Sequence, residues 1–382
     1  MPWKVCDAMS LRREFVEFVQ SSEINFTELC RRFGISRTKG YKWVGRYREF
    51  GLEGLKDRSR RPVRSPKRSR PVLEEAVVAL RRQHGWGGRK IRRRLLDMGW
   101  AEEEVCASST VTEILRRHEL VAPPLSSAAA GGWKRFEADA PNELWQMDFK
   151  GHFAMEQARC HPLTVLDDCS RFSLSLTACL NERSQTVQAQ LTAVFRCYGL
   201  PWQMLMDNGS PWGSDERHRY TPLTAWMIRL DIKPIHSRPY HPQTLGKDER
   251  FHRTLKAELL SRHRFRNLED CQRQFDSWRE VYNFERPHES LDMRTPSKVY
   301  QPSLREFPES LPPIEYGPED IVRKVHENGY VFFGGQRFRV GKAFVGERVA
   351  LRHTTTDGVL DVYFCHHQIR QLNLTTGDSV ID

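Results

Sequence analysis

Three low-complexity stretches deny this chain a single continuous core. Lys56–Arg70 holds eight basic residues against one acid and includes Pro62 and Pro66. Such a run repels itself and cannot pack, but it can track a phosphate backbone. Ala122–Gly132 is made mostly of Ala, Ser, Gly and Pro, the composition of a flexible connector. Beyond Pro296 come Pro302, Pro308, Pro312, Pro313 and Pro318. The chain therefore reads as modules: 1–55, a basic linker 56–70, 71–121, a linker 122–140, then 141–300 and 320–382. At roughly 100–200 residues per domain, 382 residues suggest two to four domains, and four modules stand at the upper end of that range.

Charge narrows the partner. Lys and Arg outnumber Asp and Glu by 60 to 49, a formal net charge of +11. A polyanion is expected, nucleic acid ahead of an anionic membrane surface. No run of 18 apolar residues exists and the first residues lack a basic-then-apolar leader, so a cytoplasmic protein without a membrane partner is expected. The nine cysteines are odd in number and spread without rhythm, which fits reduced thiols. Cys365-His366-His367 has no second ligand pair at zinc spacing and reads as a strand end.

The first module reads as short helices. Leu11, Phe15, Phe18 and Val19 recur at helical spacing, Phe26–Phe33 is a second helix stopped at Gly34, and Ser36 caps a third. Helix, glycine turn and capped helix carrying Arg37, Lys39, Lys42 and Arg46 form a helix-turn-helix pattern. Arg58, Arg60 and Arg61 follow in the linker. Residues 71–121 repeat the pattern, with Arg89 and Lys90 on one helix and a cap expected from Ser109 or Thr110 before Val111, Ile114 and Leu115.

From Asn142 the pattern becomes mixed. Strands are expected at 144–149, 163–168, 172–177, 202–206 and 232–236, with helices at 184–198, 223–230, 246–261 and 268–285, which makes a mixed α/β sheet. Parallel crossovers bring strand C-termini together, where ligands bind. After residue 320, short alternating strands at 330–333, 335–340, 348–352 and 359–364 predict a small all-β domain of five-stranded, barrel-like form.

Three acids stand at telling positions in the mixed region. Asp148 ends the apolar strand in Leu144-Trp-Gln-Met-Asp-Phe-Lys150, and Asp207 follows another in Met204-Leu-Met-Asp-Asn-Gly-Ser210. Glu249 lies near a helix start, sharing a face with Arg253 and Lys256 at i, i+4 and i+7. Hard divalent cations take oxygen ligands, so three acids suffice for two Mg²⁺ or Mn²⁺ ions of the kind that cut and join phosphodiesters. Asp167 and Asp168 fall at a hairpin turn and read as structural. Asp248 points about 100° away from Glu249 around the helix.

Asp207-Asn-Gly, together with Ser237-Arg-Pro-Tyr-His-Pro-Gln-Thr-Leu-Gly-Lys-Asp-Glu-Arg-Phe-His-Arg-Thr-Leu-Lys256, resembles the integrase core of bacterial insertion-sequence transposases and retroviral integrases. Tyr282-Asn-Phe-Glu-Arg-Pro-His-Glu-Ser-Leu291 is similar to the segment closing that core in the bacterial enzymes. The resemblance implies a ribonuclease-H-like fold, a catalytic and metal-binding triad at Asp148, Asp207 and Glu249, and a DNA contact at Lys256. Departures are Leu245, where the family often has Asn, the second acid Asp248, and 41 residues between Asp207 and Glu249. That gap is longer than is common in the group, and Trp212–Arg219 reads as the inserted loop.

The expected function is therefore a DNA transposase that binds element ends, hydrolyses phosphodiesters and transfers a 3′-hydroxyl into target DNA. Tyr240, Lys247 and Arg253 join Lys256 as expected DNA contacts. Double-stranded DNA is the expected partner, with assembly of several copies on it and association with the nucleoid. The alternatives are a catalytically silent helix-turn-helix regulator and a nuclease of the same fold that cuts without joining.

Overall fold

The computed structural model describes residues 7–21, 25–58, 69–121, 137–213, 220–237 and 246–380. Two compact units emerge, Met1–Arg68 and Ser69–Asp382.

In the first unit, α1 (Ala8–Ser21), α2 (Phe26–Arg32) and α3 (Arg37–Phe50) surround Phe15, Val16, Leu29, Cys30, Val44 and Leu55. Gly34 turns the chain at φ +63, and the Ser36 side chain accepts from Lys39 N at 3.3 Å, so the expected turn and cap are both present.

The second unit begins with α4 (Pro71–His84), α5 (Gly88–Asp97) and α6 (Ser108–Arg117), packed around Leu73, Val77, Trp86, Ile91, Leu95, Val111, Ile114 and Leu115. α6 starts earlier than the sequence suggests: Ala107 is its N-cap, without a side-chain bond, so neither Ser109 nor Thr110 caps it. Gly88 is required where α5 meets α6, since a Cβ there would lie 2.6 Å from Ser108 O.

The mixed sheet comprises β1 (Leu144–Phe149), β2 (Phe153–Ala154), β3 (Arg159–Asp167), β4 (Ser173–Cys179), β5 (Gln203–Met206) and β6 (Lys233–His236). β1 lies antiparallel to β3 and parallel to β5, which is parallel to β6, while β4 pairs with β3. β1 is buried from Leu144 to Met147, as a central strand covered on both faces must be. One face carries α7 (Ser184–Tyr198) and α8 (Pro222–Arg229), joined to Trp145, Met147 and Met204 through Val187, Leu191, Phe195, Leu223 and Met227. The other carries α9 (Gly246–Leu255) and α10 (Leu268–Glu280), whose Phe251, Leu255, Phe275 and Trp278 cover Leu166 and Leu176. Both helices run on into single π-helical turns, Lys256–Leu260 and Val281–Glu285.

The C-terminal region corrects one expectation. β7 (Ile321–Lys324), β10 (Arg348–His353), β11 (Val359–Phe364), β12 (His367–Asn373) and β13 (Ser379–Val380) form an antiparallel sheet in the order β13-β12-β11-β10-β7. β8 (Tyr330–Phe333) and β9 (Gln336–Arg339) form a separate two-stranded sheet, with Tyr330 also bridged to His326. A barrel needs its first and last strands to meet. Here β13 is two residues long and β7 ends in exposed Arg323 and Lys324, so among the described residues the sheet stays open. Its inner face packs on Ala225 and Ile228 of α8.

Among the described residues no helix is long and apolar enough to cross a membrane. Cys30, Cys106, Cys160, Cys169, Cys179, Cys197, Cys271 and Cys365 are free thiols.

Candidate active site and nucleic-acid contacts

The parallel register of β1 and β5 brings two of the acids together. Leu144 pairs with Gln203 and Gln146 with Leu205, so continuing the ladder by two residues sets Asp207 beside Asp148 at the strand ends. Neighbouring strands lie about 5 Å apart. Burial first, and then the charge of Asp207, push the Asp148 carboxyl up to about 7. Asp207 is gripped on Oδ1 by the Gly209 amide at 2.9 Å and by the Trp212 indole N–H. Trp212 is 1% exposed and stacks on Phe149 at 5.5 Å. The loop read as an insertion thus begins with a residue that holds a site carboxylate.

Glu249 is exposed on the first turn of α9, close enough for its charge to be felt at Asp148, as is that of Glu182, which bonds His161 at 2.8 Å. Among the described residues no three His, Cys, Asp or Glu side chains lie close enough to hold a metal ion. The described geometry therefore pairs Asp148 with Asp207 and leaves Glu249 standing off. The donor chemistry suits a hard cation, since both strand-end acids offer carboxylate oxygen, and the upward push of Asp207 on Asp148 is a repulsion that a shared cation would relieve.

Asp248 is turned inward and fully buried, with its carboxyl pushed well up by burial and by Asp148. Its Oδ1 lies 3.4 Å from Thr164 Oγ1, and its buried Oδ2 has no hydrogen-bond partner among the described residues. His252, one turn on, has Nδ1 3.8 Å from Asp148 Oδ2 and is driven down to about 3 by burial and by Lys150, so the ring is neutral. Lys150 is itself lowered by burial and by Lys256. Sequence reasoning gave no role to Trp212, Glu182, Thr164, Lys150 or His252. Only the i, i+4 spacing of Asp248 and His252 hinted at a shared inward face.

The expected DNA contacts divide by placement. Lys39, Lys42 and Arg46 lie on the face of α3 opposite Gly40 and Val44, and Arg37 is exposed at its first turn. Lys42 and Arg46 flank the Trp43 ring at 5.1 and 5.2 Å, with Arg12 over it at 4.0 Å. Arg58 is exposed over Phe50 at 4.5 Å. Arg253 and Lys256 are exposed on the face they share with Glu249.

Two others, Lys247 and Lys90, are engaged within the protein, and a third, Arg89, is exposed and paired at the surface. Lys247 binds the buried Asp168, which also accepts from Ala138 N and Gln146 Nε2, so Asp168 is structural as expected and Lys247 is turned inward. Arg89 pairs with Glu289 at 3.5 Å. Lys90 is held among Arg286, Glu258 and Glu289, and burial followed by Arg286 lowers it to about 8. Arg60, Arg61 and Tyr240 lie outside the described residues.

Comparison with known proteins gives the domains. Integrase core domain models match residues 138–242 and 230–296, and the IS481 family transposase C-terminal domain matches 320–379. A helix-turn-helix domain matches 11–62 and a homeodomain-like domain 39–115. The chain is 28% identical over 166 residues to an uncharacterized 39.2 kDa protein of insertion element IS476 of Xanthomonas euvesicatoria, covering 43% of this chain and 46% of that one. It is 27% identical over 159 residues to an uncharacterized 31.7 kDa protein of insertion element IS407 of Burkholderia multivorans, covering 42% of this chain and 55% of that one. The chain thus spans about half the length of the curated relatives it matches. A simian T-cell lymphotropic virus intasome structure, in complex with PP2A regulatory subunit B56 gamma, aligns at 15% identity over 75% of this chain and 91% of that one, with a TM-score of 0.39. With helix-turn-helix segments ahead of an integrase core and an IS481-type C-terminal domain behind it, the domain content of the chain is that of an insertion-sequence transposase with an integrase-like core.

Proposed function

We propose that this protein binds the ends of a mobile DNA element, hydrolyses a phosphodiester there and transfers the freed 3′-hydroxyl into target DNA, using Asp148, Asp207 and Glu249. The observation that carries the reading is the pairing of Asp148 with Asp207 at adjacent parallel strand ends, where the charge of Asp207 helps to push the Asp148 carboxyl up. Residues 1–55 and 71–121 are the end-binding domains, 141–300 the catalytic core and 320–382 an accessory β domain.

Asp148 and Asp207 would hold Mg²⁺ or Mn²⁺, two ions in the working complex, with Glu249 as the third acid. Such ions lower the pKa of an attacking water or hydroxyl and stabilise the leaving oxygen. The protein's own contribution is position. Gly209 and Trp212 fix one oxygen of Asp207 and leave Oδ2 for ligation. Glu249, Arg253 and Lys256 share an exposed face, so the acid meets the reacting phosphate while the two cations hold the flanking backbone. Lys39, Lys42 and Arg46 reach the groove or phosphates of the element end, with Arg58, Arg60 and Arg61 along the linker. Several copies assemble on the paired ends, and the protein works in the cytoplasm on nucleoid DNA.

A strand-transfer assay with labelled end DNA and Mg²⁺ tests this. Joined products longer than the substrate are expected from the wild type, and neither Asp148→Ala nor Glu249→Ala is expected to yield them while both still retard end DNA in a gel. Joining that persists in either variant refutes the triad. Cleavage without joining in the wild type favours the nuclease reading instead.

A further inference from the structure

A polar cluster that the metal reading does not use lies against Asp148. Thr164 sits opposite Asp148 in the antiparallel β1–β3 ladder, and its hydroxyl donates to the Asp148 carbonyl at 2.9 Å. The same Oγ1 is 2.9 Å from His252 Nε2 and 3.4 Å from Asp248 Oδ1. A hydroxyl has a single proton to give, and a carbonyl can only accept. With that proton on the Asp148 carbonyl, Oγ1 must accept from the imidazole, which fixes the ring's proton on Nε2. Nδ1 then faces Asp148 Oδ2 at 3.8 Å, beyond hydrogen-bond reach. At that separation the ring makes no hydrogen bond to this oxygen, which stays open to a cation. The ring is also confined, its side chain being 12% exposed. Asp248 and His252 share the inward face of α9 at i, i+4, while Glu249 and Arg253 share the outward one.

We propose that His252, oriented by Thr164, is a positioning residue for Asp148: it fixes the place of the carboxylate while withholding a hydrogen bond from it, and so keeps Oδ2 free for metal. The proposal rests on the metal-binding role given to Asp148 above. It differs from simple space-filling because it requires the Nε2–Thr164 bond, and not merely the volume of the ring.

Mn²⁺ binding to the full chain without DNA, followed by the electron paramagnetic resonance signal of free Mn²⁺, separates the two. His252→Leu keeps bulk and loses the bond, whereas His252→Gln keeps an N–H donor at the reach of Nε2. Outer-shell partners typically set metal affinity by tenfold or more, so His252→Leu is expected to weaken Mn²⁺ binding about tenfold and His252→Gln to restore most of it. In an Asp148→Ala background, His252→Leu is expected to change nothing further. Thr164→Val, which removes the hydroxyl at nearly constant volume, is expected to match His252→Leu and carries the test if the Leu variant does not fold. Wild-type affinity in a folded Leu or Val variant, or a Gln variant as weak as Leu, overturns the proposal. If Asp148→Ala alone leaves Mn²⁺ affinity unchanged, the metal reading falls and takes the proposal with it.

Discussion

Replacing Asp148 by Asn removes a charge that the folded protein holds at a cost, and the structure sets the size of the effect. The carboxyl rises from 3.8 to about 7, through burial and then through Asp207. At about 1.4 kcal/mol for each pH unit this is an upper bound of about 4 kcal/mol, and relaxation and water bring the expected value to about 2 kcal/mol. The sign follows from linkage. A carboxyl whose folded pKa lies above its unfolded one favours the folded state fully below about pH 4, and that advantage is lost as pH rises through 7. Asp148→Asn is therefore expected to melt with the wild type near pH 4 and above it at pH 8, by about 4 °C at roughly 2 °C per kcal/mol. The assay is thermal unfolding of the full chain in chelator at both pH values. Metal supplies the cross-check: at a hundredfold excess over its Kd, a ligand of the folded state stabilises by about 2.7 kcal/mol, so Mg²⁺ or Mn²⁺ should raise the wild type and leave Asp148→Asn unmoved. An Asn variant that melts at or below the wild type at pH 8, or by the same margin at both pH values, refutes the reasoning.

Two further outcomes are expected. Trp212→Phe keeps the ring against Phe149 but removes the indole donor from Asp207, so strand transfer should fall about tenfold with little change in end binding, as measured by initial rates beside a gel shift. Lys90→Met removes a buried ammonium lowered to about 8; because a depressed lysine destabilises the fold below that pH and ceases to do so toward 10.5, the variant should be more stable by about 1 kcal/mol at pH 7 and level with the wild type near pH 10.5.

The parts of the fold written locally were legible. α7 is bounded in the sequence by the Gly199 stop, with Pro201 just beyond, and its observed span is Ser184–Tyr198. Ser36 and Gly34 announce the turn and cap of α3. β12 was missed because a register shift between Val362 and Tyr363 breaks the alternation across the β11–β12 pair and because Cys365-His366-His367 reads as an end. Sheet closure could not be read at all, since it depends on which edges meet. At the site, Asp148 and Asp207 betray themselves as acids that end apolar strands. Trp212 and His252 do not, because a hydrogen bond made across the fold leaves no spacing in the chain. Lys247 looked like a phosphate contact for a related reason: a basic side chain carries no mark of whether a buried acid awaits it, as Asp168 awaits Lys247, or of whether the fold will bury it, as it buries Lys90.

The contacts around α5 bear on how this protein can be taken apart. Arg94 pairs with Glu285 at 2.6 Å in the π-helical turn that follows α10, Lys298 reaches Asp97 at 3.3 Å, and Val281 packs into the cluster of α4–α6. Glu258, in the turn that extends α9, is bound to Arg286 at 3.0 Å in the same neighbourhood. A fragment that starts after residue 121 would bare Val281 and strand Glu285 and Asp97's partner Lys298 in water, beyond the end of α10, the helix packed against the one that carries Glu249. Excising the catalytic region along its sequence boundary is therefore a poor way to study it, and a genetic screen for end-recognition mutants on α5 should also recover chemistry-defective ones.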